Sequence, residues 1–96
     1  MDIASLLKEK REEILQIAGR YGARNVRVFG SVARGDAGPK SDIDFLVQFE
    51  PGVTLLDHAA FVRELEALLG RKVEVVSERG LRPRIRDEVL REAAPI

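Results

Sequence analysis

Segments with a helical period and segments with a strand period alternate along all 96 residues, which leaves room for one small core and little else. Ile3, Leu6, Leu7, Ile14, Ile17, Ala18 and Tyr21 recur at helical spacing, with Asp2 placed to cap the start and Gly22 the end. Asn25 to Phe29 is a short β-rich run that stops at Gly30-Ser31, and Val32-Ala33-Arg34 allows only one or two helical turns before Gly35. Turn formers fill positions 35 to 40, and Ser41 to Phe49 is the most strand-like run in the chain, ended by Glu50-Pro51-Gly52. Leu55, Leu56, Ala59, Ala60, Val62, Leu65, Leu68 and Leu69 predict a second long helix closed by Gly70. Val73 to Val76 is a third strand, and Pro83 begins a last helix carrying Ile85, Val89, Leu90 and Ala93. This order predicts a two-layer α/β arrangement of the α+β kind, a small mixed sheet packed by helices, within one domain over residues 1–96.

Composition narrows the chemistry. Sixteen basic and sixteen acidic residues cancel, so global charge gives no reason for strong attraction to nucleic acid or anionic lipid. Cysteine is absent, which excludes disulfides and thiolate metal sites, so any metal is expected to be held by oxygen. The amino terminus runs straight into Lys8-Glu9-Lys10-Arg11 without a long apolar stretch, which predicts a cytoplasmic protein with no membrane association.

The strongest local signal is Ser41-Asp42-Ile43-Asp44-Phe45-Leu46-Val47. Side chains alternate on a strand, so Asp42 and Asp44 face one way while Ile43, Phe45 and Val47 face the other. Like charges roughly 7 Å apart repel unless a cation or a proton lies between them, and Mg2+ takes carboxylate, water and phosphate oxygens. Taken alone, Asp-x-Asp also describes two solvated aspartates at a strand end. Gly30-Ser31 adds a second signal, because a glycine turn after a strand lets a phosphate approach the backbone and a helix start offers N–H groups. It is neither a P-loop nor a dinucleotide fingerprint, since neither glycine pattern is present.

Together, Gly30-Ser31-Val32-Ala33-Arg34-Gly35 and, five residues later, Ser41-Asp42-Ile43-Asp44-Phe45-Leu46-Val47 resemble the signature of the DNA polymerase β-type nucleotidyltransferase superfamily. Within it the chain resembles the minimal nucleotidyltransferases, small prokaryotic proteins often encoded beside a HEPN-domain partner. The resemblance implies that Gly30 and Ser31 contact the triphosphate, with Arg34 and Ser41 also at the nucleotide, and that Asp42 and Asp44 bind two Mg2+ ions. The family's third carboxylate, usually aspartate, falls on Glu74, a departure whose extra methylene threatens the placement of the second metal. The implied activity is transfer of a nucleotidyl group, AMP from ATP, to a hydroxyl. The implied acceptor is a tyrosine of a HEPN toxin, with this chain as antitoxin and no nucleic acid as direct substrate. The alternative is a nucleotide-binding module that neutralises its partner by complex formation without turnover, and a phosphohydrolase is a third reading.

Arg79, Arg82, Arg84 and Arg86 form a basic cluster that reads as a solvated helix start or as an anion site. His58 reads as a solvated helix residue and Tyr21 as core.

Overall fold

The computed structural model describes residues 2–96. The first helical stretch is divided into α1 (Ile3–Glu9) and α2 (Arg11–Arg20), where the sequence predicts one helix to Tyr21. The division falls at Lys10, with φ −95° and ψ 7°, where the apolar stripe lapses over Lys10-Arg11. Bending there lets Ile3 and Leu7 reach the same core as Ile14, Ile17 and Ala18. Asp2 caps α1 as expected, its carboxylate accepting the Ser5 N–H at 2.7 Å.

Strand β1 (Ala23–Phe29) starts earlier than its alternation suggests and carries a bulge between Arg24 and Arg27. Asn25 has φ 51°, a left-handed conformation that asparagine tolerates better than most residues. Val26 within the bulge and Val28 past it face the core, and Phe29 the other side of the sheet. Helix α3 (Gly30–Arg34) is a single turn, followed by β2 (Ile43–Phe49), α4 (Leu55–Leu69), β3 (Val73–Ser77), a 3-10 turn at Glu78–Gly80, α5 (Pro83–Glu92) and β4 (Ala94–Pro95).

The sheet runs in the order β3-β2-β1-β4. β2 is antiparallel to β1 and parallel to β3, and the parallel pair needs a long connection, which α4 supplies. β4 lies antiparallel at the outer edge of β1, a strand that the sequence does not announce; Pro95 is tolerated there because an edge strand can leave one side unpaired. This is the mixed-sheet α+β fold predicted from the alternation of periods.

One face of the sheet carries the core. Ile43, Phe45 and Val47 of β2 are fully buried against Ile14, Phe61 and Leu65 of the helices. The opposite face carries Asp44, with α5 alongside. Leu46 shares that second face and is nonetheless fully buried, because the Glu78–Gly80 turn packs on β2.

Helix α4 closes at Gly70 as its sequence predicts, and its start is held by a capping box. Thr54 Oγ1 accepts the Asp57 N–H at 3.1 Å, Asp57 returns the bond to the Thr54 N–H at 2.9 Å, and Gly70 closes the helix at φ 64°. Leu55 and Leu56, expected on the apolar face, are 87% and 82% exposed. At about 100° per residue Leu56 lies opposite the mean direction of the Phe61–Leu65–Leu69 stripe and Leu55 nearly a quarter turn from it, in the exposed first turn, whereas His58 falls close to it. Thr54→Ala is expected to lower stability by about 1 kcal/mol, about 4–8 °C in a thermal melt, with Thr54→Ser close to wild type.

Candidate active site

Asp44 sits where three strands meet. Its Cα is in register with Phe29 of β1 on one side and with Glu74 of β3 on the other. Asp42 lies just ahead of β2 and, like Asp44, is half-buried, while Glu74 is exposed. Parallel pairing of β2 with β3 therefore brings together the two carboxylates that the sequence separates by a whole helix. The Asp44 carboxyl is pushed up to about 6, first by burial, then by the negative charges of Glu74 and Asp42 and a hydrogen bond with Glu74; only Arg34 pulls the other way.

The glycine turn is built against this carboxylate. Gly30 has φ 70°, and a Cβ there would lie 2.4 Å from Asp44 Oδ2, so both conformation and space demand glycine. Ser31 follows in the first turn of α3, its carbonyl accepting the Asp36 N–H at 3.0 Å. Gly35 closes the turn at φ 78°. Arg34 pairs with Asp36 at 3.3 Å and also with Glu92 at 3.2 Å.

Glu92 is a residue that sequence reasoning missed. It lies at the end of α5, and its Oε1 accepts the Gly30 N–H at 2.5 Å. Arg71 was missed as well. Its guanidinium donates to the carbonyls of Gly38 and Ser41 at 3.1 and 2.9 Å, while Ser41 Oγ accepts the Gly38 N–H at 2.8 Å. The Ser41 hydroxyl thus pins the loop that delivers Asp42. No periodicity or motif marks Arg71; its position just past the Gly70 cap, facing the loop, is a product of packing.

The arginine cluster disperses. Arg86 pairs with Glu78, which also holds Arg27 at 2.7 Å; Arg82 borders the acidic cleft, and Arg79 lines a separate cleft with Arg24 and Gln48. His58 is not a solvated residue: its ring is hydrogen-bonded to the Val75 carbonyl at 3.0 Å and packs on Phe49. Tyr21 stacks on Phe61, and its hydroxyl donates to Glu64.

A cleft of about 270 Å3 opens beside the carboxylates, walled by Phe29, Val76, Ile85 and Val89, with Asp44 and Glu74 at its side. Among the described residues, no three histidine, cysteine or carboxylate side chains converge into a ready-made metal cage. An open carboxylate edge nonetheless suits Mg2+, which keeps several waters and takes only one or two protein carboxylates beside substrate phosphates. The raised Asp44 carboxyl is the observation that tests the fit, since the site holds more negative charge than it can neutralise. Below about pH 6 a divalent metal would have to displace a proton there. We expect Mg2+ affinity to be roughly fourfold weaker at about pH 5.5 than at about pH 7.5, with proton release on binding in calorimetry at the lower pH, and Asp44→Asn to remove that pH dependence.

Residues 7–95 match the family described as the nucleotidyltransferase domain. The chain is 41% identical over 91 residues to the protein adenylyltransferase MntA of Thermococcus cleftensis, covering 95% of this chain and 89% of that one. It is 57% identical to a solved protein described, provisionally, as a minimal nucleotidyltransferase, with a TM-score of 0.89 over 100% of this chain and 97% of the other. A toxin-antitoxin structure with AMP-PNP shares the fold at a TM-score of 0.75 and 19% identity, covering 88% of this chain and 69% of that chain. Among the described residues, no helix is long and apolar enough to cross a membrane.

Proposed function

The chain belongs to the nucleotidyltransferase domain family, and from that premise we propose that it moves an adenylyl group from ATP to a hydroxyl of a partner protein. The observation that carries the reading is the packing of Gly30 directly on the Asp44 carboxylate, which lies in register with Glu74. A phosphate-accepting turn and an acidic cluster are thereby held within one triphosphate's span.

In this reading Asp42 and Asp44 hold divalent metal, two ions with the help of Glu74. The metal supplies charge neutralisation at the phosphates when bound. The Gly30 and Ser31 backbone and Arg34 hold the β- and γ-phosphates through N–H donors and positive charge. Ser41 and Arg71 keep the preceding loop in place so that Asp42 reaches the same face as Asp44. The acceptor oxygen attacks the α-phosphorus, the bond from that phosphorus to the bridging oxygen breaks, pyrophosphate leaves, and the acceptor proton passes to Glu74 or to water. Glu74 is exposed at the cleft edge, where an incoming hydroxyl would arrive, so its extra methylene extends reach into open space.

The protein acceptor is favoured by the adenylyltransferase relative and by the small, open-sided cleft, which offers no enclosed site for a second substrate. We take the acceptor to be a tyrosine of a HEPN-domain toxin and residues 1–96 to act as one cytoplasmic antitoxin domain. Incubation with the partner and ATP labelled at the α or the γ position tests this. Label arriving on the partner only from the α position supports adenylyl transfer. Label from γ alone means phosphoryl transfer, free mono- or diphosphate without protein labelling means hydrolysis, and either result rejects the proposal.

A further inference from the structure

The donors assigned above to the triphosphate are already in use. Gly30 N–H donates to Glu92 Oε1 at 2.5 Å, and Arg34 Nη1 approaches Glu92 Oε1 and Oε2 at 3.3 and 3.2 Å. A carboxylate held by one backbone N–H and one guanidinium has the anionic charge and acceptor geometry of a phosphate in the same place. Its side chain is 22% exposed, so it lies within the turn rather than in open solvent. We infer that Glu92 is an internal stand-in for a substrate phosphate, and that triphosphate entry expels it and releases α5 and β4 from the site.

The element carrying Glu92 is built to let go. Helix α5 has no buried residue, Ile85 is 47% exposed, and Arg86, which ties the helix to the Glu78 carbonyl at 3.1 Å, is itself partly exposed. Its continuation, β4, pairs with β1 at only Arg27↔Pro95 and Val28↔Ala94. An element with so little buried apolar surface sits at the low end of local stability. The core, by contrast, is formed by the opposite face of the sheet and does not depend on α5. Nucleotide binding then carries the cost of opening, and apparent affinity is reduced by the fraction of molecules in the open state. Displacement also moves Ile85 and Val89, which wall the cleft beside Asp44 and Glu74, so the acceptor face would be completed only after the triphosphate has seated.

This inference rests on the nucleotide-binding reading of the same turn, and the test separates the two. Binding of a nonhydrolysable ATP analogue with Mg2+, and of inorganic tripolyphosphate, would be measured calorimetrically for the wild-type chain, E92Q and E92A. Hydrogen exchange would follow residues 30–34 and 83–95. We expect about tenfold tighter binding of both probes to E92Q and E92A. In the wild type, residues 83–95 should exchange faster and residues 30–34 slower once ligand is bound, while in the variants residues 83–95 exchange fast from the outset. Equal affinity in all three proteins, weaker binding by the variants, or unchanged exchange at 83–95 on binding overturns the stand-in while leaving the nucleotide site intact. Failure of all three proteins to bind either probe, with folding verified by circular dichroism, rejects the nucleotide site and the stand-in together.

Discussion

Asp44→Asn is expected to reduce adenylyl transfer by about 10²–10³-fold while making the metal-free protein more stable at neutral pH. The two effects have opposite signs because one carboxylate serves opposed demands. Catalysis needs its charge to hold metal against the phosphates. Folding resists that charge, since burial and the nearby Glu74 and Asp42 raise the Asp44 carboxyl from 3.8 to about 6. Between those values the folded chain binds more protons than the unfolded chain, so metal-free stability falls as pH rises from about 4 to about 6 and is flat above. Because Asp44 is only half-buried, solvent screening reduces the gain from neutralising it to about 1 kcal/mol, or roughly 4–8 °C in melting temperature. Melts of both proteins at about pH 4 and about pH 7.5, with and without Mg2+, check the sign. The difference should vanish at the lower pH, where the wild-type carboxyl keeps its proton, and reverse when saturating Mg2+ stabilises only the wild type. An Asn variant that is inactive and also less stable at neutral pH would mean that the carboxylates do not strain one another.

Gly30→Ala should cost about 10²-fold in transfer and about 1–2 kcal/mol in stability. Two causes act at once. The left-handed φ of 70° disfavours any residue with a Cβ, and that Cβ would sit 2.4 Å from Asp44 Oδ2, so the carboxylate must move. Gly35→Ala separates the causes, because Gly35 has φ 78° but nothing within 4 Å of the added Cβ. It should lose comparable stability and keep transfer within about tenfold of wild type, as read by label incorporation and thermal melts. If the two variants lose activity equally, the contact between Gly30 and Asp44 is not what positions the metal site.

Local pattern and distant contact contributed differently to what could be read in advance. Asp42 and Asp44 on one face, Ile43, Phe45 and Val47 on the other, and the Gly30 turn after a strand all follow from periods of two and from the chemistry of adjacent residues. The Gly70 cap of α4 is equally local. Glu74 was reachable only by resemblance to a family, because nothing in Val73-Glu74-Val75 distinguishes a site residue from an exposed strand position. The break at Lys10, the outward Leu55 and Leu56, the inward His58 and the strand at Ala94-Pro95 were hidden for a related reason: each depends on where the sheet lies relative to the segment.

From residue order alone came the α+β alternation, the paired aspartates and the glycine turn, since these depend on neighbours along the chain. Folding decided that β2 pairs in parallel with β3 so that Asp44 meets Glu74, that Gly30 touches Asp44, and that Glu92 crosses 62 positions to occupy the Gly30 N–H. Such contacts are set by strand register and by helix packing on the sheet, and a segment's own period carries no information about which distant segment will lie beside it.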